Sequence, residues 1–453
     1  MSNDLFMTPS DQFATPCRII GVLDDGVASL TPRALSYIQQ ADLVIGGTRT
    51  LQLFADQFAA SAERRDLTGQ LTAVPEWIRA ALADNKQVVV LATGDPLCHG
   101  IAPFLQSRLC IEACEVLPNT STIQLACARL GIPWQEMKIV SVHSRDACEW
   151  TPGAGRDHGL YHLLHAVQQH DRLAILTSPE NTPDRIARML VLEGLDGEFR
   201  MAVAENLLQH NERVVADCAI ADAALLRFSD LNVVVLWRTT ATKIPVKFGL
   251  TDDSFQQRYP DKGLITKREV RAVSLARMQL RADSIVWDIG AGSGSVGLEA
   301  ARLCSDGYIY AIEKNSDDCA NAAANCRTLG LHNYSLTHGK APLGLEQWPD
   351  PDAVFVGGSG GELGELIRLI LSRLKPNGWL VMNFVTFENV GLAMTTLKAL
   401  GQDDQYSIEW DITQLQASRS RPILDMHRLA AENPVWILCA TRSANTSRDQ
   451  GNG

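Results

Sequence analysis

A glycine-rich segment in the second half of the chain has the residue types and the spacing of a ligand-binding turn. The run WDIGAGSGSVGLEAAR, residues 287–302, follows apolar residues and leads into an Ala-rich helical pattern. Gly290, Gly292 and Gly294 allow the backbone to turn tightly and to approach a ligand without a Cβ clash. Glu313 lies 21 residues beyond Gly292, at the end of the next predicted strand, where a carboxylate can accept from ribose hydroxyls. The pattern predicts a nucleoside site.

Two classes of nucleoside ligand fit this pattern. The GxGxxG spacing is typical of nicotinamide dinucleotide sites, whose pyrophosphate lies at a helix N-terminus. Asp288, however, precedes the glycines at the end of a strand, and a carboxylate there suits a cationic or ammonium-bearing ligand better than a pyrophosphate. The run HGKAP, residues 338–342, is placed to cradle an adenine. We therefore favour a cationic nucleoside cofactor and keep the dinucleotide as an alternative.

The first half contains a shorter candidate loop. LATGDPLCHG, residues 91–100, puts Gly94, Asp95 and Pro96 directly after an apolar run that predicts a strand. The backbone amides and carbonyls of such a loop can hold a small ligand. Taken alone the loop is only a turn signal, because Gly, Asp and Pro favour turns for steric reasons.

Histidines and cysteines in the first half give no metal-site pattern. His158, His162 and His165 have the spacing of one helical face, but no nearby Cys or acidic pair completes a ligand set. A partly exposed helix face is the favoured interpretation. Cys110 and Cys114 lack a second pair and are interpreted as packing residues. We predict no metal site.

Apolar runs that alternate with helical stretches must position these loops, and they predict an α/β fold with largely parallel sheets. In the first half such runs begin at Arg18, Asp42, Gln87, Lys138, Arg172, Phe199 and Leu231. In the second half they begin at Ser284, Tyr308, Tyr334, Asp352 and Trp379. Two final runs, from Tyr406 and Pro434, have no long helical pattern between them and predict an antiparallel pair.

The runs and the breaks between them divide the chain into two domains. We expect a first domain over 17–241, a linker over 242–263, a second domain over 264–443 and a disordered polar tail over 444–453. Thr266 and Glu269 have capping-box spacing, which predicts that a helix starts there.

Composition and charge exclude several classes of protein. The chain has 453 residues with 41 Lys and Arg against 52 Asp and Glu, a net charge of −11, which disfavours nucleic acid as a partner. No apolar stretch is long enough to cross a membrane, and the N-terminus lacks a signal-peptide pattern. Eleven scattered cysteines do not suggest a disulfide framework. We expect a soluble, cytoplasmic protein without a membrane or nucleic-acid partner.

The second half resembles the class I S-adenosylmethionine-dependent methyltransferases, and among them the C15-methylating, decarboxylating module of cobalamin biosynthesis. Four segments carry the resemblance: ITKREVRA (265–272), WDIGAGSGS (287–295), PDAVFVGG (351–358) and NFVTFE (383–388). Together with the Asp288 argument, the resemblance implies contacts with S-adenosylmethionine from Thr266, Asp288, Gly290, Ala291, Gly292, Ser293, Gly294, Glu313 and Ala341.

Substrate contacts are expected from three further residues of this half. Lys267 and Arg271 can meet acidic side chains of the substrate, although a solvated helix face is the favoured interpretation of either. Asn383 follows an apolar strand run at its carboxyl end, where open α/β sheets bind their ligands.

The first half resembles the tetrapyrrole methylases, specifically their C5-methylating precorrin members. The matching segments are LATGDPLCHG (91–100), PNTSTIQLACARLG (118–131), SVHSRD (141–146), TSPENTPDRIARML (177–190) and AENL (204–207). The resemblance implies cofactor contacts from Thr93, Gly94, Asp95, Cys98, Ser121 and Thr122. One loop departs from the family: GVLDDGVASLT has Asp24 and Asp25 where Pro-Gly is usual, which leaves its substrate role open.

The two resemblances together imply a tetrapyrrole methylase domain of two α/β subdomains (class III), followed by a Rossmann-like class I methyltransferase domain. They imply one S-adenosylmethionine per domain and a tetrapyrrole substrate, methylated at C5 and C15 with loss of the ring C acetate carboxyl group. We also expect a homo-oligomer. The alternative is a paired methyltransferase acting on another tetrapyrrole or small molecule. No proton donor for the decarboxylation is identified from the sequence.

Overall fold

The chain forms two compact units that divide between Thr242 and Lys243. The computed structural model describes residues 15–143, 148–240, 246–258, 265–402 and 407–443. The predicted tail, 444–453, and both ends of the predicted linker lie outside these ranges. Each unit is built on its own sheets, as the α/β prediction requires.

The first unit begins with a parallel five-stranded sheet in the order β3-β2-β4-β1-β5. Its side chains alternate between two apolar clusters: Ile19 and Val90 join helices on one face, and Ile20 and Val89 join a helix on the other. The strands are β1 (Cys17–Val22), β2 (Leu43–Gly46), β3 (Glu63–Asp66), β4 (Val88–Thr93) and β5 (Cys114–Leu117). The helices are α1 (Pro32–Gln39), α2 (Thr48–Leu53), α3 (Val74–Ala83) and α4 (Ala102–Leu109).

A second sheet completes this unit, in the order β6-β7-β10-β8-β9. Its first pair is parallel and the others are antiparallel. The strands are β6 (Lys138–Ser141), β7 (Arg172–Leu176), β8 (Phe199–Glu205), β9 (Arg213–Ala219) and β10 (Asn232–Arg238). The helices are α5 (Thr122–Leu130), α6 (Tyr161–Gln169), α7 (Pro183–Leu192) and α8 (Ile220–Ala223). Because Ile123 and Cys127 of α5 pack with this sheet, the chain passes between the two α/β layers just before α5.

The second unit is a seven-stranded sheet in the order β13-β12-β11-β14-β15-β19-β16, parallel except for its last two strands. The strands are β11 (Ile285–Ile289), β12 (Tyr308–Glu313), β13 (Tyr334–His338), β14 (Ala353–Val356), β15 (Trp379–Phe384), β16 (Ser407–Leu415) and β19 (Val435–Ser443). The helices are α9 (Arg268–Arg277), α10 (Ser295–Leu303), α11 (Ser316–Thr328), α12 (Leu363–Arg373) and α13 (Phe387–Leu400). The strand order reverses beside β11, the position at which such sheets bind ligands.

The apolar runs correctly predicted the central strands and the final antiparallel pair, but polar edge strands were missed. β3 reads ERRD and is largely exposed, so it carries no apolar signal. The short β5 and the edge strand β9 were also missed. Between β16 and β19 the chain adds an exposed hairpin of β17 (Ser418–Ile423) and β18 (Met426–Ala431). Among the helices in the described ranges, none combines the length and apolar character needed to cross a bilayer.

A buried ion pair joins α9 to α10, and the segment before α9 also packs on it. Arg271 and Glu299 are both fully buried, and Arg271 Nε donates to Glu299 Oε1 at 2.9 Å. The backbone amides of Gly249 and Leu250 donate to the two Glu299 oxygens at 2.7 and 2.9 Å. The described part of the predicted linker, 246–258, therefore packs on the second unit. Arg271 also meets Asp252 at 3.3 Å, so its guanidinium is held on several sides.

Two predictions about the start of α9 are wrong. Arg271 does not lie on a solvated helix face, because it is fully buried and its charge is balanced inside the unit by Glu299. Its contact with the substrate stays a prediction. Helix α9 begins at Arg268 after Lys267, and the capping box expected from Thr266 does not form. Glu269 instead accepts from Arg419 at 2.5 Å, and Arg419 also donates to Asp252 at 2.7 Å.

We predict that Arg271→Ala destabilises the second unit by about 3–5 kcal/mol, because it leaves the Glu299 carboxylate buried without its cation. Arg277→Ala on the same helix is the matched control. Arg277 pairs with Asp411 at the surface, and such a pair contributes about 1 kcal/mol or less. Urea unfolding of the full chain measures the loss of stability in each variant, and hydrogen exchange of peptides from α9 and α10 shows whether the loss is local to this pair of helices. Equal losses in the two variants would contradict the assignment.

Candidate functional sites

The turn after β11 leaves its backbone uncovered at the carboxyl edge of the second unit's sheet. Gly290, Gly292 and Gly294 have φ of 71°, 55° and 77°, in the left-handed region that favours glycine. A Cβ at Gly290 would lie 2.6 Å from the carbonyl oxygen of Gly358, so the loops after β11 and β14 touch backbone to backbone. Gly294 is the N-cap of α10 and brings no side chain to its first amides. The sequence predicted this steric requirement.

Glu313 fixes the turn from the end of β12. One of its carboxylate oxygens accepts from the Gly292 amide and the other from the Asn315 amide, each at 2.9 Å. The side chain is buried, yet it also forms part of the wall of an open cleft. A carboxylate oxygen can accept more than one hydrogen bond, so Glu313 retains the capacity to accept from ribose hydroxyls.

Asp288 supports the turn from below. Its Oδ2 accepts from the Gly297 amide at 3.0 Å and so supplies the cap that Gly294 cannot give to α10. Asp288 is 1% exposed, and its Oδ1 has no hydrogen-bond partner among the described residues. Burial raises the pKa of Asp288 to about 7, against the opposing effect of the Gly297 amide, and Glu313 raises it further. Asp288 thus lies beneath the turn and does not line the cleft.

The cleft itself has an empty volume of about 420 Å³ and opens to solvent. It lies where the loops after β11, β12, β13 and β14 meet, at the reversal of strand order. Its lining consists of Gly290, Ile312, Glu313, Lys314, Gly339, Lys340, Ala341, Gly358, Ser359 and Gly360. Of the predicted contacts, Gly290, Glu313 and Ala341 lie in this wall. The HGKAP loop is also there, as its proposed adenine role requires.

The sequence analysis selected Lys340 only as part of the HGKAP loop, and it did not select Lys314. Gly358 was included only as the end of the family motif PDAVFVGG (351–358), although a further glycine signal follows it in SGG (359–361). Lys340 Nζ donates to Glu362 at 2.7 Å across the rim. This pair joins the loops after β13 and β14, which a sequence pattern alone does not bring together.

The other predicted residues of this unit lie around the cleft or behind it. Ala291 and Ser293 belong to the turn, and the buried Ser293 hydroxyl has no partner in the described part of the chain. Thr266 is half-buried and its carbonyl accepts from Arg271 at 2.7 Å. Lys267 is half-buried at the N-cap of α9. Asn383 is half-buried, and its amide nitrogen donates to Ser274 on α9 at 2.9 Å. Their roles as ligand contacts stay predictions.

The residues of the cleft fit S-adenosylmethionine. The turn backbone at Gly290, the Glu313 carboxylate and the apolar wall of Ile312 and Ala341 are the groups that an amino-acid tail, a ribose and an adenine respectively require. Two lysines stand at the same wall.

In the first unit the predicted cofactor residues come together at the carboxyl edge of the parallel sheet. The Gly94 amide donates to the Val22 carbonyl at 2.8 Å, and Gly94 has a φ of 71°. A Cβ at Gly94 would lie 3.4 Å from the Thr122 amide nitrogen, so the loop after β4 touches the start of α5. Ser121 caps α5 by accepting from the Gln124 amide at 3.1 Å, and Gln124 accepts in return at 2.9 Å.

Asp95 and Gly21 shape the same loop. Asp95 accepts from the Leu97 amide at 2.9 Å, which tightens the turn. Gly21, which the sequence analysis did not select, has no room for a side chain: a Cβ there would lie 2.2 Å from the Gly94 carbonyl oxygen and 2.7 Å from the Asn119 amide. Cys98 packs on the apolar cluster of α5, and burial raises the pKa of its thiol.

The three histidines do not share a helix. α6 begins at Tyr161, so His158 precedes it, where its ring packs edge-on against Trp150 at 4.7 Å. His165 contacts Gln169 at 2.9 Å. Cys114 packs in the first sheet's core, where burial raises the pKa of its thiol to about 11. Within the described ranges, no three His, Cys, Asp or Glu side chains are grouped to hold a metal ion.

Comparison with known proteins finds a matching family for each unit. Residues 17–224 match the model of the tetrapyrrole (corrin/porphyrin) methylases, and residues 257–442 match a precorrin methyltransferase domain. A precorrin-6Y C(5,15)-methyltransferase [decarboxylating] of Sinorhizobium sp. is 32% identical over 92% of this chain and 94% of its own length.

Two relatives from Salmonella typhimurium cover about half of the chain each. The cobalt-precorrin-6B C(15)-methyltransferase (decarboxylating) is 35% identical over 41% of this chain and 93% of its own length. The cobalt-precorrin-7 C(5)-methyltransferase is 33% identical over 43% of this chain and 87% of its own length.

The buried carboxyl of Asp288 predicts a pH dependence of stability. Its pKa of about 7 in the folded unit exceeds the ordinary 3.8, so the folded state binds this proton more tightly than the unfolded state does. Its contribution to the free energy of unfolding therefore falls as pH rises from about 4 to 7, by up to about 4 kcal/mol, and is constant above that range. Asp288→Asn keeps an acceptor for Gly297 and removes this slope.

The measurement is urea unfolding of the full chain between pH 5 and pH 8, with hydrogen exchange of peptides spanning β11 and α10. Asp283→Asn, at an exposed position just before β11, is the matched control and should retain the wild-type slope. The same slope in Asp288→Asn and the wild type would show that Asp288 titrates as an ordinary carboxyl.

Proposed function

Because the chain belongs to the precorrin-6Y C(5,15)-methyltransferase (decarboxylating) family, we propose that it methylates precorrin-6Y at C5 and C15 and decarboxylates its ring C acetate, giving precorrin-8 in cobalamin biosynthesis. The observation that carries this proposal is that a relative of this name matches 92% of the chain and therefore spans both units. S-adenosylmethionine is the methyl donor.

The two reactions divide between the two units. The first unit, which matches the tetrapyrrole methylases, methylates C5. The second unit, which matches the precorrin methyltransferase domain, methylates C15 and removes the carboxyl group. Each unit binds one S-adenosylmethionine, since each has a loop cluster of its own at the carboxyl edge of a parallel sheet.

Each methylation is an in-line displacement. The bound cofactor supplies a methyl group on a positively charged sulfur. A nucleophilic ring carbon would take this methyl group, with the new C–C bond forming as the S–C bond breaks and the sulfur keeping that bond's electron pair. The chain would contribute alignment: Glu313, which anchors the Gly292 amide, would orient the ribose, the glycine turn would hold the amino-acid tail, and Asp288 keeps the turn in place from below. A strong base is not required, because reduced tetrapyrroles have electron-rich meso carbons.

Decarboxylation needs an electron sink, which the macrocycle itself provides. The acetate C–C bond breaks, carbon dioxide leaves, and the electron pair enters the conjugated ring before a proton is added. A substrate with several carboxylates must be held by local positive charge in a chain with a net charge of −11. Lys314 and Lys340, in the wall of the second unit's cleft, are the cations that this half offers beside the cofactor.

The function predicts a defined mass change. We expect precorrin-6Y incubated with the purified protein and deuteromethyl-labelled S-adenosylmethionine to gain two labelled methyl groups and lose one carbon dioxide, by mass spectrometry. Gain of methyl groups by another tetrapyrrole, with precorrin-6Y unchanged, would favour the alternative substrate. An unchanged mass for all tetrapyrroles tested would contradict the proposal.

The assignment of one cofactor to each unit predicts two binding sites for S-adenosylhomocysteine in a calorimetric titration. Glu313→Ala should remove the site of the second unit, because the turn loses its anchor and the ribose its acceptor. Gly94→Val should remove the site of the first unit, because its left-handed backbone at φ 71° is strained for a branched residue. Glu346→Ala, at an exposed position of the second unit, should keep both. Loss of both sites in Glu313→Ala would contradict two independent sites.

A further inference from the structure

Arg49 places a cation beside the predicted cofactor segment of the first unit. It lies in the first turn of α2, just after β2, and 42% of its side chain is exposed. Its guanidinium forms an ion pair with Asp24, and its Nη2 donates to the Thr93 hydroxyl at 3.4 Å. Asp24 follows β1 and Thr93 ends β4, and these three strands are neighbours in the sheet. Arg49 therefore stands at the edge where the cofactor loop begins.

Asp24 has a second partner from the other α/β layer of the unit. Gln209, which follows β8, donates to Asp24 Oδ2 at 2.7 Å. Asp24 belongs to the loop GVLDDGVASLT, in which two aspartates replace the Pro-Gly usual in the family. The carboxylate thus joins the loop after β1 to the second sheet and neutralises Arg49 at the same time.

Among the described residues, the Arg49–Asp24 ion pair lacks the burial and the backbone contacts of a structural ion pair, as a comparison with Arg238 shows. Arg238 of the same unit is 10% exposed and also donates to the Val167 carbonyl at 3.1 Å, which ties its guanidinium to the backbone. In the described part of the chain Arg49 donates to two side chains only, Asp24 and Thr93. An exposed pair of this kind contributes little to stability. A guanidinium with five N–H donors keeps bidentate capacity for a further carboxylate.

We propose that Arg49 binds a carboxylate side chain of the tetrapyrrole during C5 methylation, with Asp24 as the counter-ion that this carboxylate replaces. The inference rests on the proposed function, in which the substrate carries several carboxylates. When the substrate carboxylate binds, Asp24 keeps the amide of Gln209 as its partner. Asp24 thereby competes with the substrate for Arg49, so removing its negative charge strengthens substrate binding.

The test compares variants of the full-length protein by the KM for precorrin-6Y in C5 methylation. Arg49→Gln should raise this KM about 10–100-fold, in the range of one lost charge-assisted hydrogen bond. Asp24→Asn should lower it about 2–10-fold, because the competing charge is gone while the Gln209 contact can persist. Arg49→Lys should fall between Arg49→Gln and the wild type, since an ammonium does not bind a carboxylate bidentately. Cofactor affinity and the rate of C15 methylation should not change.

Arg79→Gln is the matched control, because Arg79 forms an exposed pair with Glu76 on α3 and should leave KM unchanged. If the Arg49–Asp24 pair were only structural, both single variants would raise KM and lower the melting temperature together. That outcome, or an unchanged KM in Arg49→Gln, overturns the inference while the proposed function stands. A wild-type protein that transfers no methyl group overturns both, so the two failures are distinguishable.

Discussion

The cleft of the second unit depends on two carboxylates that hold one glycine-rich turn. Glu313 accepts from the turn's amide at Gly292, and Asp288 accepts from the first turn of α10. A ligand can reach the backbone only if no side chain covers it, and a glycine has no side chain with which to cap the helix. The sheet supplies the missing acceptors from the ends of two neighbouring strands, so the turn stays open and fixed at the same time.

Placing two carboxylates at one turn has an electrostatic cost, because at least one of them is buried. The fold limits this cost by exposing one carboxylate to the cleft and burying the other beneath the turn. Glu313 reaches the cleft wall, while Asp288 is sealed beneath the turn with the buried phenol of Tyr334 nearby. Burial raises the pKa of Asp288 to about 7, because it penalises the charged form, and repulsion from the Glu313 carboxylate acts in the same direction. Burial likewise raises the pKa of Tyr334. The start of α5 in the first unit avoids this cost, because Ser121 and Gln124 cap the helix as neutral groups.

The sequence predicted those features that arise from local sterics and from burial. Glycines that need positive φ, and apolar runs that need two buried faces, leave a signal within a few residues. The edge strand β3 and the β17–β18 hairpin leave none, because their side chains face solvent. The role of Arg271 depends on Glu299, 28 residues away, and on backbone amides from the segment before α9. Lys340 meets Glu362 only because β13 and β14 end at one edge of the sheet.

Charge pairing at both sites suits an acidic protein with an anionic substrate. Lys340 and Arg49 each stand beside a predicted cofactor site, and each is paired with one carboxylate at a partly exposed position. The paired carboxylate already stabilises the cation before the substrate binds, and the substrate carboxylate has to replace it. Substrate binding is therefore weaker than it would be to an unpaired cation. Moderate ground-state binding benefits a methyl transfer, because interactions that are equal in the ground state and the transition state do not raise kcat. In the proposed reaction the weakly held cations would then orient the macrocycle while the glycine turns would fix the cofactor.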